Sequence, residues 1–364
     1  MMIPQIEPWI DDEELKQLEE VIKSTFITEH KKTEEFERKF SEITNSKYSL
    51  AYCNGTMSLF AALRILNIGK DDEVIVPDLT FIASANSVIL AGAKPVFADI
   101  DRKTFQISPE EIEKNISEKT RAIMPVHLYG QSCDMDKIMK IAMSNNLKIV
   151  EDAAQGFGVK FNGKHVGTFG EFGSFSFYGN KIITTGEGGM LVTENEELAK
   201  KAFSFKNHGR AQKGKFIHDE IGFNFSITDI HAAIGLAQLS KFNRIKKRKE
   251  NIFKYYKKEL GSINEIEFPA LDERCEPIYW FTNILVPDPA ALQEFLLSDN
   301  IQTRRFFYPL HLQPCYKDMK IKGNFSNTRY AYEHGLSLPS SVILTDNQLL
   351  QVADKIKEFY TNKK

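Results

Sequence analysis

The residue best suited to covalent chemistry is Lys181, set within E-F-G-S-F-S-F-Y-G-N-K-I-I-T-T-G-E-G-G-M-L-V-T at 171–193. In the first half of that stretch Ser174 and Ser176 alternate with Phe175 and Phe177, the period of two expected of a strand with one apolar face. Tyr178, Gly179 and Asn180 end the strand and Lys181 stands just beyond it. Gly186, Gly188 and Gly189 then allow a tight turn before Met190-Leu191-Val192 begins another strand. A solitary lysine on such a turn can form a Schiff base with a carbonyl once desolvation or a neighbouring cation lowers its pKa. By itself the position decides little, because most lysines beside glycine-rich turns are solvated surface groups.

Three other groups change the odds. Asn54-Gly55-Thr56-Met57 follows a strand at 48–52 and precedes a helix at 58–66, so its backbone N–H groups can face an anion, usually a phosphate. The loop from Pro77 to Phe81 follows the short buried strand 73–77 and ends on an aromatic side chain. Asp152 closes the strand 148–152, where it offers either a carboxylate to a ligand or a cap to the next turn. Neither a P-loop nor a Gly-x-Gly-x-x-Gly turn after a first strand is present, which argues against an NTPase and a dinucleotide-dependent dehydrogenase.

These groups hang on a regular alternation. Further strands are expected at 95–99 and 122–126, with helices at 81–90 and 134–144, a spacing that implies right-handed crossovers and a mostly parallel sheet covered on both faces. Ligands of such sheets sit beyond the carboxyl ends of the strands. There the Gly55-Thr56 turn, Phe81, Asp152, Ser176 and Lys181 would converge. An amine, a carboxylate, a hydroxyl, an aromatic ring and an anion-binding turn are what pyridoxal phosphate (PLP) requires.

At either side of this region the pattern continues. Asp11 opens an acidic helix start with Glu14 placed for a capping box, and Leu15, Leu18 and Ile22 recur on one face. Thr228 is an expected N-cap. The helix it opens is rich in small residues (Ala232, Ala233, Gly235, Ala237), and a long charged helix at 244–260 reads as the connection to a second domain. The expected division is a large cofactor-binding domain at 1–244 and a smaller α+β domain at 245–364.

The 364 residues, 42% hydrophobic and 26% charged, suit a soluble globular protein of that size, and a net charge of −2 gives no reason to expect nucleic acid or an anionic membrane. Cys53, Cys133, Cys275 and Cys315 are dispersed without a Cys-x-x-Cys pair, so neither a metal site nor a disulfide framework is expected. No signal sequence and no membrane-length apolar run is evident, and a cytoplasmic location is expected.

Five motifs, in order, resemble those of the DegT/DnrJ/EryC1/StrS sugar aminotransferases. They are N-G-T-M-S-L at 54–59, P-D-L-T-F-I-A-S-A-N at 77–86, E-D-A-A-Q at 151–155, S-F-Y-G-N-K-I-I-T-T-G-E-G-G at 176–189, and I-G-F-N-F at 221–225 before D-I-H-A-A-I-G-L-A-Q-L. The likeness implies the aspartate-aminotransferase-like α/β architecture (PLP fold type I) and PLP as cofactor. It implies Lys181 as the Schiff-base lysine and Asp152 as partner of the pyridinium nitrogen. Phe81 would stack on the ring and Gln155 would lie near its phenolic oxygen. Thr56, Met57 through its backbone, and Ser176 would hold the phosphate. Asn224 would reach the phosphate of a neighbouring subunit, which implies a homodimer with shared active sites.

Within that family the segments V-H-L-Y-G-Q at 126–131 and R-R-F-F-Y-P-L-H at 304–311 resemble members that aminate nucleotide-linked 4-keto-6-deoxy sugars with L-glutamate as donor. GDP-sugar enzymes look nearest, and dTDP-sugar enzymes share much of the pattern. Arg304, Tyr308 and His311 are candidate contacts to the sugar or its diphosphate, with a structural role equally open for His311. Many members carry arginine where this chain has Ser226, which loosens the substrate assignment. A PLP-dependent sugar dehydratase would have histidine in place of Lys181. A non-catalytic regulatory protein on the same fold would have no need of the lysine.

Overall fold

The computed structural model describes residues 2–212 and 214–361. Seven strands form the central sheet: β1 (Tyr48–Tyr52), β2 (Glu73–Pro77), β3 (Lys94–Ala98), β4 (Thr120–Ile123), β5 (Lys148–Asp152), β6 (Phe172–Ser176) and β7 (Gly189–Thr193). They lie in the order β1-β7-β6-β5-β4-β2-β3, with β7 antiparallel to both neighbours and the other pairings parallel. The strands expected at 95–99 and 122–126 each begin and end earlier than their apolar runs suggested. Beyond Ile123 the chain meets β5 only through the single bridge of Val126 with Asp152.

Both faces of the sheet are covered, as its apolar strands require. On one face Phe175 and Phe177 enter an aromatic cluster with Phe36 and Phe40, the ring centroids of Phe40 and Phe175 being 5.0 Å apart. On the other, Ser174 Oγ lies 2.6 Å from Ser58 Oγ on the helix Gly55–Ile65, so the serines of the alternation face this helix. The approach there is close: a Cβ on Gly55 would sit 3.1 Å from that of Ser176. A larger residue at position 55 would lift the helix start away from the end of β6.

The acidic N-terminal helix, Asp12–Ser24, has the expected capping box between Asp11 and Glu14 but buries a different face. Leu15 and Ile22 are 60% and 61% exposed, whereas Glu14 and Val21 are buried. The reason is a polar anchor: Gln238 Nε2 and Lys241 Nζ donate to the Glu14 carboxylate at 2.7 and 2.8 Å, turning the acidic side inward.

Thr228 caps one unbroken helix, Asp229–Leu260, rather than a helix followed by a connector. The boundary expected at 244/245 thus falls inside it. Its small residues meet the helix Lys31–Thr44, where a Cβ on Gly235 would lie 2.6 Å from the Phe36 ring. Its second half packs with Ile3, Ile284, Leu336 and Val352 in the C-terminal core. That core includes an antiparallel sheet of β8 (Thr282–Leu285), β9 (Arg304–Arg305) and β10 (Gly335–Leu338), ordered β8-β10-β9.

Candidate active site

A cleft of about 480 Å³ opens beyond the carboxyl ends of the central strands. Asn54, Gly55, Thr56 and Met57 line it from the helix start after β1, and Thr80 and Phe81 from the loop after β2. Asp152 and Gln155 come from the end of β5, and Ser176 with Lys181 from the end of β6. Trp280, Arg304 and Phe307 close it from the C-terminal portion.

Lys181 is half-buried on its turn, its backbone N–H donating to Tyr178 O at 2.9 Å. Burial lowers its pKa from the usual lysine value to about 8; the Arg304 guanidinium pushes the same way and the Asp152 carboxylate opposes both. Its Nζ lies 4.4 Å from the centroid of the Trp280 ring. An amine so placed is neutral in about one molecule in ten at pH 7, against fewer than about one in a thousand for an ordinary lysine, and the neutral form is the one that attacks a carbonyl or accepts a proton.

Asp152 is 4% exposed and held from two sides. Ser84 Oγ donates to its Oδ2 at 2.6 Å, and the Ala154 N–H to its Oδ1 at 3.1 Å. It therefore caps the following turn and faces the cleft at once. Because its proton goes to Asp152, Ser84 accepts from Thr80 Oγ1 at 3.1 Å, giving a short relay Thr80 to Ser84 to Asp152. Glu151, the preceding residue, points to the opposite face of the sheet. There it accepts from the N–H groups of Gly167, Phe169 and Gly170 and pairs with His127 Nε2 at 2.9 Å. Burial raises its pKa, but those donors outweigh it and the net shift is downward. The Cys133 N–H donates to His127 Nδ1, so the Nε2 proton of His127 is the one given to Glu151.

At the helix start Asn54 Oδ1 accepts the Met57 N–H at 2.9 Å. Met57 lines the cleft, but its backbone N–H is thereby occupied; those of Gly55 and Thr56 have no protein partner among the described residues. Phe81 is 54% exposed, and its ring stands 6.0 Å from that of Phe307. Gln155 accepts the Tyr129 N–H on Oε1 at 2.8 Å, which leaves its amide nitrogen as the end available to the cleft.

Of the three weaker candidates, Arg304 alone lines the cleft. Tyr308 packs edge-on against Tyr332 outside it. His311 is structural: Asp78 accepts its backbone N–H at 2.7 Å and its Nδ1 at 2.6 Å, and its ring stacks on Phe325. Asn224 is exposed on a loop that bridges to Asn207 and does not contribute to the wall of this cleft. The sequence reading assigned no role to Ser84 or Trp280. Ser84 lies within the quoted 77–86 motif, and Trp280 is one of only two tryptophans in the chain.

The donor set fits PLP: an amine of lowered pKa, a carboxylate with a fixed orientation, an aromatic face, and two unpartnered amides opening a helix. The cleft volume is in the range of about 300–1,000 Å³ common to small-molecule sites. The fold and site define a PLP-dependent aminotransferase.

Comparison with known proteins makes the assignment specific. Residues 8–357 match the DegT/DnrJ/EryC1/StrS aminotransferase family, and the chain belongs to it. It is 40% identical to GDP-perosamine synthase of Escherichia coli O157:H7, over 99% of both chains. Among solved structures, S. venezuelae DesV in complex with a ketimine intermediate superposes with a TM-score of 0.91 at 31% identity, covering 96% of this chain and 94% of that one. The PLP form of a putative sugar aminotransferase from Streptococcus pneumoniae superposes with a TM-score of 0.93 at 28% identity, over 98% of each chain.

Proposed function

We propose that this sugar aminotransferase converts a GDP-linked 4-keto-6-deoxy sugar to the 4-amino sugar, with L-glutamate as amino donor and 2-oxoglutarate as the second product. The observation carrying the chemistry is the pair formed by Lys181, an amine of lowered pKa, and Asp152, an oriented carboxylate, in one cleft. The likeness to GDP-perosamine synthase supports the substrate.

When bound, PLP supplies an electron sink that stabilises negative charge at the carbon losing its proton. Lys181 would hold the cofactor and, once released by the donor, serve as general base and acid, carrying the proton on Nζ. Asp152 would accept a hydrogen bond from the ring nitrogen, its charge keeping that nitrogen protonated. Phe81 would cover one ring face, and Gln155 would offer its amide to the phenolic oxygen. Thr56 and Ser176 would hold the phosphate, with the free Gly55 and Thr56 amides in place of that of Met57, which Asn54 occupies. Arg304, cationic and beside Lys181, is positioned to attract the donor carboxylate or the sugar diphosphate.

A homodimer completes this reading, with Asn224 reaching the partner's phosphate site. Its support is the exposure of Asn224 away from its own cleft and of apolar side chains including Ile22, Phe26, Ile217 and Ile221. No helix among the described residues is long and apolar enough to cross a membrane. The four cysteines are unpaired, in keeping with a reducing cytoplasm.

The test is direct. The PLP-loaded protein is incubated with L-glutamate and either the GDP- or the dTDP-linked 4-keto-6-deoxy sugar, and the amino sugar and 2-oxoglutarate are quantified by mass spectrometry. Equal amounts of both products with the GDP sugar support the proposal. Turnover of the dTDP sugar alone would transfer the assignment to that nucleotide, and no turnover of either would overturn it.

A further inference from the structure

Lys249 is 2% exposed in the middle of the helix Asp229–Leu260. Its Nζ donates to two backbone carbonyls, those of Trp280 at 2.8 Å and Ser340 at 2.6 Å. Both partners are neutral, so nothing of opposite charge offsets the cost of burial, and the Lys249 pKa falls to about 7. A methionine would fill similar space at lower desolvation cost, although it would leave both carbonyls without their donor. The arrangement thus uses an expensive group at one spot, and that spot leads to the cleft.

Trp280 is the next link. Its indole Nε1 donates to the Asn180 carbonyl at 2.7 Å, and Asn180 immediately precedes Lys181. Its ring is the one beneath the Lys181 amine, and it stacks on Phe281 with centroids 4.0 Å apart. The segment carrying it is also pinned to the large domain at Gly130, whose carbonyl accepts the Ile278 N–H at 3.0 Å. A Cβ on Gly130 would sit 1.7 Å from the Ile278 carbonyl oxygen, so the two backbones are in direct contact.

We infer that Lys249 is a positioning residue: its bond to the Trp280 carbonyl holds the indole against Lys181 and Asn180, keeping the reactive amine dry and its turn fixed. The charged groups that bear on Lys181 itself are Asp152 and Arg304. Lys249 acts through Trp280, by geometry, not through its own field. The inference rests on the reading of Lys181 as the reacting amine. Its readout is that amine's own titration, which does not depend on which substrate the enzyme uses.

The experiment uses the full chain freed of cofactor. The pH dependence of acylation at Lys181 by an amine-reactive reagent is followed by peptide mass spectrometry. Trp280 fluorescence is recorded alongside in a Trp9→Phe background. Lys249→Met should raise the Lys181 midpoint by about one pH unit, towards the ordinary lysine value near 10.4, and should red-shift the fluorescence as water reaches the indole. Ser340→Ala removes the hydroxyl that accepts the Thr282 N–H but keeps the carbonyl bonded to Lys249. It should lower stability without moving the midpoint. If Lys249→Met does not fold, Trp280→Phe, which deletes the bond to Asn180, should give the same upward shift. An unchanged midpoint in the folded variants, or an equal shift in Ser340→Ala, would overturn the inference and reduce Lys249 to a domain fastener. Either result leaves the proposed reaction to its own test.

Discussion

Ser84 Oγ and Asp152 Oδ2 are 2.6 Å apart, joining the helix after β2 to the carboxyl end of β5 inside the cleft. This contact fixes one oxygen of the carboxylate expected to face the pyridine nitrogen. Ser84→Ala should remove a charge-assisted hydrogen bond worth about 1.5–3 kcal/mol, and weaken PLP binding by roughly tenfold or more. Fluorescence titration of the cofactor checks this. Asp152→Asn removes the charge itself and should slow both the glutamate and the sugar half-reactions in single-turnover measurements. Slowing of only one would argue against a role at the ring nitrogen.

The Lys181 pKa of about 8 sets a pH dependence. Uptake of PLP by the cofactor-free protein should rise about tenfold per pH unit below that value and level off above it. A solvated lysine would keep gaining reactivity to about pH 10.4. Folding disfavours the protonated amine, so this group costs stability below about pH 8. The cost disappears as pH rises to the unfolded-state value near 10.4. Arg304→Met should move the uptake midpoint upward, because Arg304 lowers the Lys181 pKa.

Glu151, behind the sheet, is expected to matter for stability. Glu151→Ala would leave His127 and the N–H groups of Gly167, Phe169 and Gly170 without their shared acceptor. Each buried donor left without its acceptor costs about 1–3 kcal/mol, a loss readable in urea unfolding. The sign with pH follows from the lowered pKa. Its contribution is present above the ordinary glutamate value and is lost as pH falls through the lower folded-state value.

Asn224 provides a test of the dimer. A mixture of Lys181→Ala and Asn224→Ala chains, unfolded and refolded together, should recover activity absent from Lys181→Ala and exceed that of Asn224→Ala alone. Half of the random dimers then carry one site with both residues intact, giving up to about a quarter of wild-type activity. No recovery would contradict sharing of the site.

The sequence carried much of this arrangement. The strands 48–52, 73–77 and 148–152 were readable residue for residue, being short buried runs between polar or glycine signals. The residues at their carboxyl ends could be assembled into one cleft because parallel sheets place ligands there. The long helix was misread as two since its composition changes from small to charged residues near Ser240, yet no proline or glycine interrupts it there. The face of the first helix was misread because burial of Glu14 depends on Gln238 and Lys241, far away in sequence. Trp280 and Lys249 escaped notice for the same reason. Their contacts, Trp280 with Asn180 and Lys249 with Trp280 and Ser340, join residues far apart in sequence and leave no local pattern.

The central claim is that Lys181 is the residue that binds PLP covalently. The PLP-loaded protein is treated with borohydride, which fixes any carbon–nitrogen bond to the cofactor, then digested and mapped by mass spectrometry. The phosphopyridoxyl group should be found on the peptide containing Lys181 and should be missing from Lys181→Ala. Pretreatment of the wild type with L-glutamate should abolish the label. A label on another lysine, or none, would contradict the account.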